Sequence, residues 1–407
     1  MKYIVVIGDG CADLPIENLG NKTPLEYAET PWLDRLSSRG EIGLVETVPK
    51  GVPAGSDTAI LSIFGNDPRV CYTGRSPLEA AGCGMKLNAD EISFRTNVVS
   101  LGSEEAFADK IIYSHSGGSI PGDDSISLMQ ACMADEKFMG IAGRLNMRFH
   151  LTHSFRHITA ISGVDFVPEQ KPPHDLLGKA IGGYRGEDAV SRTLTELMER
   201  AFEIMDPHPI NARRRSEGLL PANCIWSWGE GRALLLDNFA EKYGKTAKVI
   251  SAVPLVKGIG ALMGVDSIDV PGATGELDTD YEGKADAAIS ALLGGDDMAV
   301  VHIEAPDECS HAGDMEGKLK AIENIDSKVM GRIVNRLRGK CDFRILYLSD
   351  HPTLLSTRTH DGAPVPYLIY DSRELSTSGL DFGETNAAKG SYIADGTELM
   401  SRLFEQN

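Results

Sequence analysis

The stretch that most constrains the fold of this chain runs from residue 299 to residue 314 and reads Ala-Val-Val-His-Ile-Glu-Ala-Pro-Asp-Glu-Cys-Ser-His-Ala-Gly-Asp. It opens as an apolar run rich in β-branched residues, which predicts a buried strand that ends at Pro306. Asp307 and His311 follow four residues apart, so a helical turn would place both on one face. A carboxylate and an imidazole so placed suit a divalent metal, although such a pair more often forms a helix cap and a surface residue.

Two further apolar segments end in the same chemistry. Residues 3–7 are followed by Asp9 between two glycines, and residues 343–349 are followed by Asp350 and His351, with His360 shortly after. A segment that is apolar at every position predicts a central parallel strand, covered on both faces. The carboxyl ends of such strands share the sheet edge at which ligands bind. The spacing therefore predicts an α/β fold with metal ligands at one edge, although Asp9 alone also fits an ordinary turn.

A hydroxyl group is placed to join these ligands. Small residues at 53–55 lead to Ser56, which precedes the apolar helical segment at 59–64. Backbone N–H groups at a helix start can hold a phosphoryl oxygen, and the same pattern fits a helix N-cap. Six carboxylate and imidazole side chains together with Ser56 are enough for two divalent ions. Two ions can stabilise the attacking and leaving oxygens of a phosphoryl transfer.

The length and texture of the chain predict two domains. A chain of 407 residues is longer than one that ordinarily folds around a single hydrophobic core. Residues 86–230 are rich in Arg and His and contain Gly-rich loops, whereas the segments before and after this region have the alternating strand and helix patterns of an α/β fold. We therefore expect residues 1–85 and 231–407 to form one catalytic domain, and residues 86–230 to form a smaller α+β domain inserted into it.

Composition excludes several classes of function. The formal net charge of −19 argues against nucleic acid and anionic membrane as partners. There is no apolar run of about 18 residues, so we expect no transmembrane helix. The apolar N-terminal run is too short for a signal peptide, and seven scattered cysteines without a CxxC pair fit a reducing cytoplasm. The glycines after Lys257 do not match a dinucleotide motif, so no organic cofactor is expected. We make no prediction of the oligomeric state.

Several motifs together resemble those of the alkaline phosphatase superfamily and, within it, the cofactor-independent phosphoglycerate mutases of the archaeal type. The resemblance covers most of the chain. It is strongest in the segments Ile7-Gly-Asp9-Gly, Ala54-Gly-Ser56-Asp, Tyr72-Thr-Gly-Arg-Ser-Pro-Leu-Glu, Phe94-Arg-Thr-Asn, Pro221-Ala-Asn-Cys-Ile-Trp, Val256-Lys-Gly-Ile-Gly, Glu304-Ala-Pro-Asp-Glu-Cys-Ser-His-Ala-Gly-Asp, Ser349-Asp-His and Thr359-His. It implies a mostly parallel sheet sandwiched by helices.

The resemblance also implies roles for individual residues. It assigns Asp307, His311 and His360 to one metal ion, and Asp9, Ser56, Asp350 and His351 to the other. The ions would be Mn²⁺, Zn²⁺, Mg²⁺ or Co²⁺. Ser56 would accept the phosphoryl group of 3-phosphoglycerate and return it to the 2-hydroxyl of the glycerate, a step of glycolysis and gluconeogenesis.

The implied substrate is small and anionic, so an acidic protein needs local cationic groups to bind it. The inserted domain would supply them and would close as a lid that excludes water. The candidates for substrate binding are Arg75, Arg95, Arg156, His157, Arg213, Arg215 and Lys257.

Two alternatives to the mutase activity remain open at this point. The segment 113–124 departs from what we expect of archaeal-type mutases, and it carries Asp123 and Asp124, which would suit a substrate ammonium group. A related subfamily has been proposed to act as homoserine kinases of threonine biosynthesis with the same metal ligands. A metal-binding scaffold without catalytic activity is the weaker alternative, because a scaffold has no need of Ser56 at the metal edge.

Overall fold

The computed structural model of this protein describes residues 1–166, 169–373 and 377–405. The chain divides into two compact units. One, here called the sheet unit, comprises Met1–Tyr72 and Leu235–Asn407, and the other, the inserted unit, comprises Thr73–Leu234. The boundaries expected at residues 85/86 and 230/231, and the role of the insertion as a lid, remain predictions.

The strands, in chain order, are β1 (Lys2–Gly8), β2 (Glu41–Val45), β3 (Ile92–Leu101), β4 (Ile112–Ser114), β5 (Arg148–His150), β6 (Arg156–Ile161), β7 (Cys224–Arg232), β8 (Ala247–Ile250), β9 (Asp266–Ser267), β10 (Met298–Ile303), β11 (Phe343–Leu348), β12 (Thr353–Leu354), β13 (Thr359–His360), β14 (Val365–Asp371) and β15 (Ser391–Ile393).

The helices are α1 (Pro24–Tyr27), α2 (Pro31–Ser38), α3 (Ser56–Ile63), α4 (Pro68–Cys71), α5 (Ser76–Gly82), α6 (Gly122–Met133), α7 (Glu136–Gly143), α8 (Ala189–Met205), α9 (Pro209–Ser216), α10 (Phe239–Tyr243), α11 (Pro254–Leu262), α12 (Tyr281–Gly294), α13 (Ala305–Ala312), α14 (Met315–Asn324), α15 (Gly331–Leu337), α16 (Glu384–Ala387) and α17 (Leu399–Phe404). A π-helical segment, Ile325–Met330, joins α14 to α15.

The sheet unit is built on an eight-stranded sheet with the order β15-β2-β14-β11-β1-β10-β8-β9. The strands β11, β1, β10, β8 and β9 are parallel to one another, and β14 runs antiparallel to its neighbours β11 and β2. Every residue of β10 and β11 is buried, as is β1 after Lys2. Helices such as α12, against β10, and α17, against β11, cover the sheet. The predicted α/β fold with a mostly parallel, helix-covered sheet is confirmed.

The parallel register brings three strand ends together. In β1, Ile7 lies opposite His302 of β10 and Leu348 of β11. Because these three strands are neighbours and point the same way, the segments that leave their carboxyl ends share one edge. The strand topology therefore places the polar residues that follow these strands at the same edge of the sheet.

Gly10 shows how closely these segments approach. Its φ is +63°, in the left-handed region that favours glycine. A Cβ at this position would lie 2.8 Å from the Cα of Asp307 and 2.7 Å from Oγ1 of Thr353. The turn after β1 thus requires glycine for both conformation and space.

The inserted unit contains an antiparallel sheet centred on β3, which pairs with β4, β6 and β7, while β5 pairs with β6. The amphipathic helix α8, predicted at 189–205, packs against β7. Its buried face, including Leu194 and Leu197, joins a core with Phe94 and Trp226. The α+β character expected of the insertion is therefore present in this unit.

Two predicted helices differ from those observed. The sequence pattern predicts a helix at residues 234–243, but the observed helix begins only at Phe239, because the side chain of Asn238 caps its first turn by accepting from Glu241 N–H. The sequence pattern also predicts one long amphipathic helix at residues 315–337, whereas the observed helical stretch contains the π-helical segment. That segment presents Asp326, whose carboxylate accepts from Trp32 N–H at 3.2 Å and Leu33 N–H at 2.7 Å. Among the described residues, no helix has the length and apolarity needed to cross a membrane.

Candidate active site

Asp307, His311 and His360 form the first cluster of possible metal ligands. Asp307 and His311 lie one turn apart on α13, and His360 ends β13. Nε2 of His311 is 3.2 Å from Oδ2 of Asp307, and Nε2 of His360 is 3.5 Å from Oδ1. One ligand atom from each residue lies within 4.8 Å of the others. The predicted helical turn thus places both α13 side chains toward the same point.

Neighbouring groups fix the orientation of this cluster. The second ring nitrogen, Nδ1, is 2.9 Å from the Arg358 carbonyl in His311 and 3.3 Å from the Ala54 carbonyl in His360. These carbonyls accept a hydrogen bond from Nδ1–H, so that in the neutral rings Nε2 has the lone pair. Thr353 Oγ1 donates to Oδ1 of Asp307 at 2.5 Å. The ligand atoms are therefore turned toward one another by contacts outside the cluster.

Asp307 and His311 of the first cluster shift each other's pKa in opposite directions. Burial raises the pKa of Asp307, but hydrogen bonds from His311 and His360 outweigh it and hold that pKa below its usual range. The hydrogen bond to Asp307 raises the pKa of His311 to about 9. In the absence of another cation, the Asp307 carboxylate thus favours a positive charge on the neighbouring imidazole.

Asp9, Asp350 and His351 form the second cluster, and all three are buried. Nε2 of His351 lies 3.4 Å from Oδ2 of Asp350 and 3.6 Å from Oδ1 of Asp9. The other oxygen of Asp350, Oδ1, accepts from the N–H groups of Gly10 at 3.1 Å and His351 at 2.9 Å. Two carboxylates and an imidazole thus converge without exposure to bulk water.

The second cluster has the electrostatic character of a cation site. Burial and the charges of Asp350 and Asp307 raise the pKa of Asp9 well above its usual range. Within the described residues, Oδ1 of Asp9 and Oδ2 of Asp350 are buried and accept no hydrogen bond. Buried carboxylate oxygens ordinarily have partners, because their desolvation is costly. A divalent cation would satisfy both oxygens, so the residues fit the ion that their chemistry suggests.

Ser56 is placed beside the second cluster at the first residue of α3. Its hydroxyl donates to Oδ2 of Asp9 at 3.3 Å, and its Oγ is 3.2 Å from Nε2 of His351. The side chain is half-buried, whereas Asp9 and His351 are fully buried. The hydroxyl can therefore be reached by a reacting group from solvent while its partners remain shielded.

Sequence reasoning missed several residues that support these clusters. His302 contacts Asp9, and its signal was a histidine within an otherwise apolar strand. Lys318 of α14 is fully buried and donates to Oδ2 of Asp13 at 2.8 Å and to the Thr353 carbonyl at 2.8 Å. Lys318 thereby links Asp13, in the segment after β1, to Thr353, in the segment after β11. A lysine in an amphipathic helix gives no sign of such burial.

Three of the predicted substrate-binding residues gather around one carboxylate in the inserted unit. Glu79 Oε1 is 3.0 Å from Nε of Arg75, and its Oε2 is 3.1 Å from Nε of Arg95 and 3.9 Å from Nη1 of Arg156. The guanidinium of Arg95 lies 4.1 Å from the ring centroid of Trp228. We call Arg75, Arg95, Arg156 and Glu79 the arginine cluster. Three positive charges against one negative charge make it locally cationic in an acidic protein.

Glu79 and the three guanidinium groups of the arginine cluster stabilise each other's charged forms. Burial raises the pKa of Glu79, but the guanidinium charges of Arg95, Arg75 and Arg156 outweigh burial and hold that pKa below its usual value. Burial lowers the pKa of Arg95 to about 9, which leaves it protonated at neutral pH. The cluster therefore keeps its excess positive charge.

The other predicted substrate-binding residues have different partners. His157 is fully buried, and its ring nitrogens contact Ser125 Oγ at 2.9 Å and the Thr152 N–H at 3.1 Å. The remaining three are paired with acidic residues: Arg213 with Asp124, Arg215 with Asp206 and Lys257 with Asp269. In the part of the chain that the structure describes, none of these four forms an ion pair with Glu79 of the arginine cluster.

Comparison with protein families gives one consistent description. The sequence profile of a family described as 2,3-bisphosphoglycerate-independent phosphoglycerate mutase matches residues 37–211. The chain is 41% identical over 408 residues to a probable 2,3-bisphosphoglycerate-independent phosphoglycerate mutase of Geobacter sulfurreducens, with 100% of both chains covered. It is 43% identical over 415 residues to the 2,3-bisphosphoglycerate-independent phosphoglycerate mutase of Methanosarcina acetivorans, again with 100% of both covered.

Solved structures with the same fold agree with the sequence comparison. A protein of Pyrococcus horikoshii is 31% identical with a TM-score of 0.79, and the match covers 99% of this chain and 96% of that one. The cofactor-independent phosphoglycerate mutase of Thermoplasma acidophilum is 26% identical with a TM-score of 0.66, and the match covers 99% of each chain. The similarity therefore spans both units.

Proposed function

The chain belongs to the family of 2,3-bisphosphoglycerate-independent phosphoglycerate mutases, which are isomerases, and from this premise we propose that it interconverts 3-phosphoglycerate and 2-phosphoglycerate through a phosphoserine at Ser56. The observation that carries the proposal is the position of Ser56 Oγ, within 3.3 Å of both Asp9 and His351 at the shared sheet edge. The substrate is a small phosphorylated anion.

We assign two divalent metal ions to the two ligand clusters. Asp307, His311 and His360 would hold one ion. Asp9, Asp350 and His351 would hold the other, together with Ser56. Bound ions would stabilise the serine oxygen as an alkoxide and offset the charge of the transferring phosphoryl group. Mn²⁺, Zn²⁺, Mg²⁺ and Co²⁺ all suit this mixture of carboxylate and imidazole ligands.

The proposed reaction has two balanced transfers. Ser56 Oγ loses its proton as it bonds to the phosphorus of 3-phosphoglycerate, the bond from phosphorus to the C3 oxygen breaks, and that oxygen takes up a proton. The glycerate then re-orients, its 2-hydroxyl loses its proton as it bonds to phosphorus, the bond from phosphorus to Ser56 Oγ breaks, and Oγ regains a proton. The start of α3 supports this step, because backbone N–H groups at a helix N-terminus attract phosphoryl oxygens. No second substrate is consumed.

The arginine cluster is proposed to bind the charged groups of the substrate. A guanidinium donates two parallel hydrogen bonds to a carboxylate or phosphate, which fixes the orientation of the anion. Glu79 and Trp228 hold Arg95 in place, so less conformational freedom is lost on binding. His157 is left out of this set because it has no exposed surface and both of its ring nitrogens already contact Ser125 and Thr152.

The homoserine kinase alternative is not favoured by a specific observation. A homoserine kinase needs an acidic group for the substrate ammonium, and Asp123 and Asp124 were the candidates. Asp124 is paired with Arg213, and the exposed Asp123 lies 3.3 Å from Nδ1 of His153. The arginine cluster is cationic and suits anions instead. A scaffold role fits poorly with full-length relatives that are named as mutases.

A direct assay distinguishes these functions. The purified, Mn²⁺-loaded protein is incubated with 3-phosphoglycerate alone, and the products are followed by phosphorus NMR. We expect 2-phosphoglycerate without added 2,3-bisphosphoglycerate or ATP. Parallel reactions contain homoserine with ATP or phosphoenolpyruvate. Efficient formation of phosphohomoserine with negligible 2-phosphoglycerate would overturn the proposed function.

A further inference from the structure

A buried chain of hydrogen bonds runs from β8 through β10 to the second ligand cluster. Oγ of Ser251, which follows β8, is 3.2 Å from Nδ1 of His302, and Nε2 of His302 is 2.9 Å from Oδ2 of Asp9. His302 has no exposed surface, Ser251 is 3% exposed and Asp9 is 1% exposed. None of the three can therefore exchange its partner for water without opening the core.

The register of the sheet explains why His302 reaches Asp9. In the pairing of β10 with β1, His302 lies opposite Ile7, and Asp9 follows two residues beyond Ile7. Asp9 is the first residue of the turn after β1, and from this position its Oδ2 lies 2.9 Å from Nε2 of His302. A histidine is long enough to span this offset and still donate from its far nitrogen.

The hydrogen bonds also determine which ring nitrogen of His302 carries the hydrogen. The Val253 N–H donates to Ser251 Oγ at 3.0 Å, which leaves the serine hydroxyl hydrogen available for Nδ1 of His302. The Asp9 carboxylate can only accept, so in the neutral ring Nε2 carries the hydrogen and Nδ1 accepts. Each group along the chain thus has one consistent role.

The carboxylate of Asp9 is consequently asymmetric. Its Oδ2 accepts from His302 and from Ser56, whereas its Oδ1 accepts no hydrogen bond within the described residues. Oδ1 is the oxygen that faces Nε2 of His351, at 3.6 Å. One oxygen is therefore held by the protein, and the other is left for a further positive partner.

We propose that His302 is a positioning residue that holds Oδ2 of Asp9, so that Oδ1 is presented to a divalent metal ion at the second cluster, and that Ser251 sets its tautomer. This inference rests on the proposed function, because it presumes that metal binds there. Groups that orient a metal ligand typically change metal affinity about 10–100-fold when they are removed. Among the described residues, Asp307, His311 and His360 form no hydrogen bond with Ser251, His302 or Asp9, so the metal affinity of the first cluster should be unaffected.

The test measures Mn²⁺ binding to the metal-stripped full-length protein by calorimetry and by the electron paramagnetic resonance signal of free Mn²⁺. His302→Leu should bind one Mn²⁺ as tightly as the unmodified protein and a second about 10–100-fold more weakly. His302→Gln, whose amide can replace the Nε2–H donor, should recover most of that loss. Ser251→Ala should weaken the second site to an intermediate extent. Asp307→Asn identifies the first site.

A matched control separates positioning from a general effect of removing a buried histidine. His157 is equally buried and also contacts a serine, but it lies in the inserted unit. His157→Leu should lower the melting temperature without changing Mn²⁺ affinity. Equal affinity of both sites in His302→Leu and the unmodified protein, or equal loss at both sites, would overturn the inference. If His302→Leu does not fold, the inference is tested with His302→Gln, Ser251→Ala and His302→Met, the last of which has no N–H donor for Asp9. Mn²⁺ affinities in all three variants equal to those of the unmodified protein would likewise overturn the inference. Failure of the unmodified protein to bind Mn²⁺ would instead overturn the metal sites of the proposed function.

Discussion

Nε2 of His311 and Nε2 of His360 lie 2.9 Å apart, although one residue is on α13 and the other on β13. Both nitrogens also face the carboxylate of Asp307. Two imidazoles can share only one proton along this line, whereas a divalent cation binds the lone pairs of both. The close approach of these rings is therefore the feature of the first cluster that most favours a metal ion.

Removal of His311 should remove metal from the first cluster without unfolding the protein. The side chain is 36% exposed at the end of a short helix, so it contributes little to the core. We expect His311→Ala to lose one equivalent of metal and about 3 kcal/mol of transition-state stabilisation, or roughly 100-fold in kcat. Metal analysis, kinetics and thermal unfolding are the measurements.

The control for this variant is His153→Ala, which removes an exposed histidine of the inserted unit. It should retain both metal equivalents and its activity. Full metal content and full turnover in His311→Ala would contradict the assignment of the first cluster.

The arginine cluster predicts a defect in substrate binding. Arg95 is buried against Glu79 and Trp228, and it remains charged at neutral pH. A hydrogen bond to a charged group contributes about 1.5–3 kcal/mol, so Arg95→Met should raise the KM for 3-phosphoglycerate about 10–100-fold. Steady-state kinetics with circular dichroism as a check on folding gives the result.

Arg213→Met is the matched control, because Arg213 is half exposed and paired with Asp124. Exposed ion pairs contribute little, so its KM should change by about twofold or less. A larger effect at Arg213 than at Arg95 would place the substrate at α9 and contradict the arginine cluster.

His157 predicts a specific pH dependence of stability. Burial, and secondarily the charge of His150, lowers its pKa from 6.5 to about 4. Between these values the unfolded chain binds a proton that the folded chain does not. The contribution of His157 to the free energy of unfolding is therefore complete above pH 6.5. It is lost as the pH falls toward 4, with about 2 kcal/mol lost by pH 5. Urea unfolding at pH 7.5 and pH 5 measures this loss.

His157→Gln removes the titrating group and should reduce the difference in unfolding free energy between the two pH values by about 2 kcal/mol. His153→Gln, at an exposed position, should leave the difference unchanged. Identical pH profiles for His157→Gln and the unmodified protein would show that His157 does not carry this dependence.

Lys318 predicts a large effect on the free energy of unfolding. It forms a buried ion pair with Asp13, with 0% and 2% of the two side chains exposed. Lys318→Met leaves a buried carboxylate without its cation and should lower the free energy of unfolding by about 3–5 kcal/mol. The double variant Lys318→Met with Asp13→Leu should recover much of this loss. Equal destabilisation of the single and double variants, measured by urea unfolding, would argue against the pair.

The sequence was sufficient for the sheet edge because the strand ends combine two strong local signals. The strands β1, β10 and β11 are mostly apolar, and each is followed by Asp or by Asp and His within four residues. Parallel topology then brings the ends together without further information. The helix α8 was equally predictable from its amphipathic spacing.

Long-range pairing was not predictable from local patterns. His302 lies within an apolar strand, and only the register with β1 shows that it contacts Asp9. Glu79 looks like an ordinary residue in the first turn of α5, yet it gathers three arginines from separate segments. Arg213 is one of the residues that the sequence suggests for substrate binding, whereas the structure pairs it with Asp124 of α6. Each difference depends on a partner far away in sequence.

The most direct test of the phosphoryl-transfer pathway is the chemical state of Ser56 during turnover. Metal-loaded protein is mixed with 3-phosphoglycerate, quenched with acid within one turnover and mapped by peptide mass spectrometry. We predict phosphate on Ser56, none in a Ser56→Ala variant, and no turnover by that variant although it retains most of its metal. Formation of 2-phosphoglycerate by Ser56→Ala, or phosphate on a different residue, would contradict the pathway.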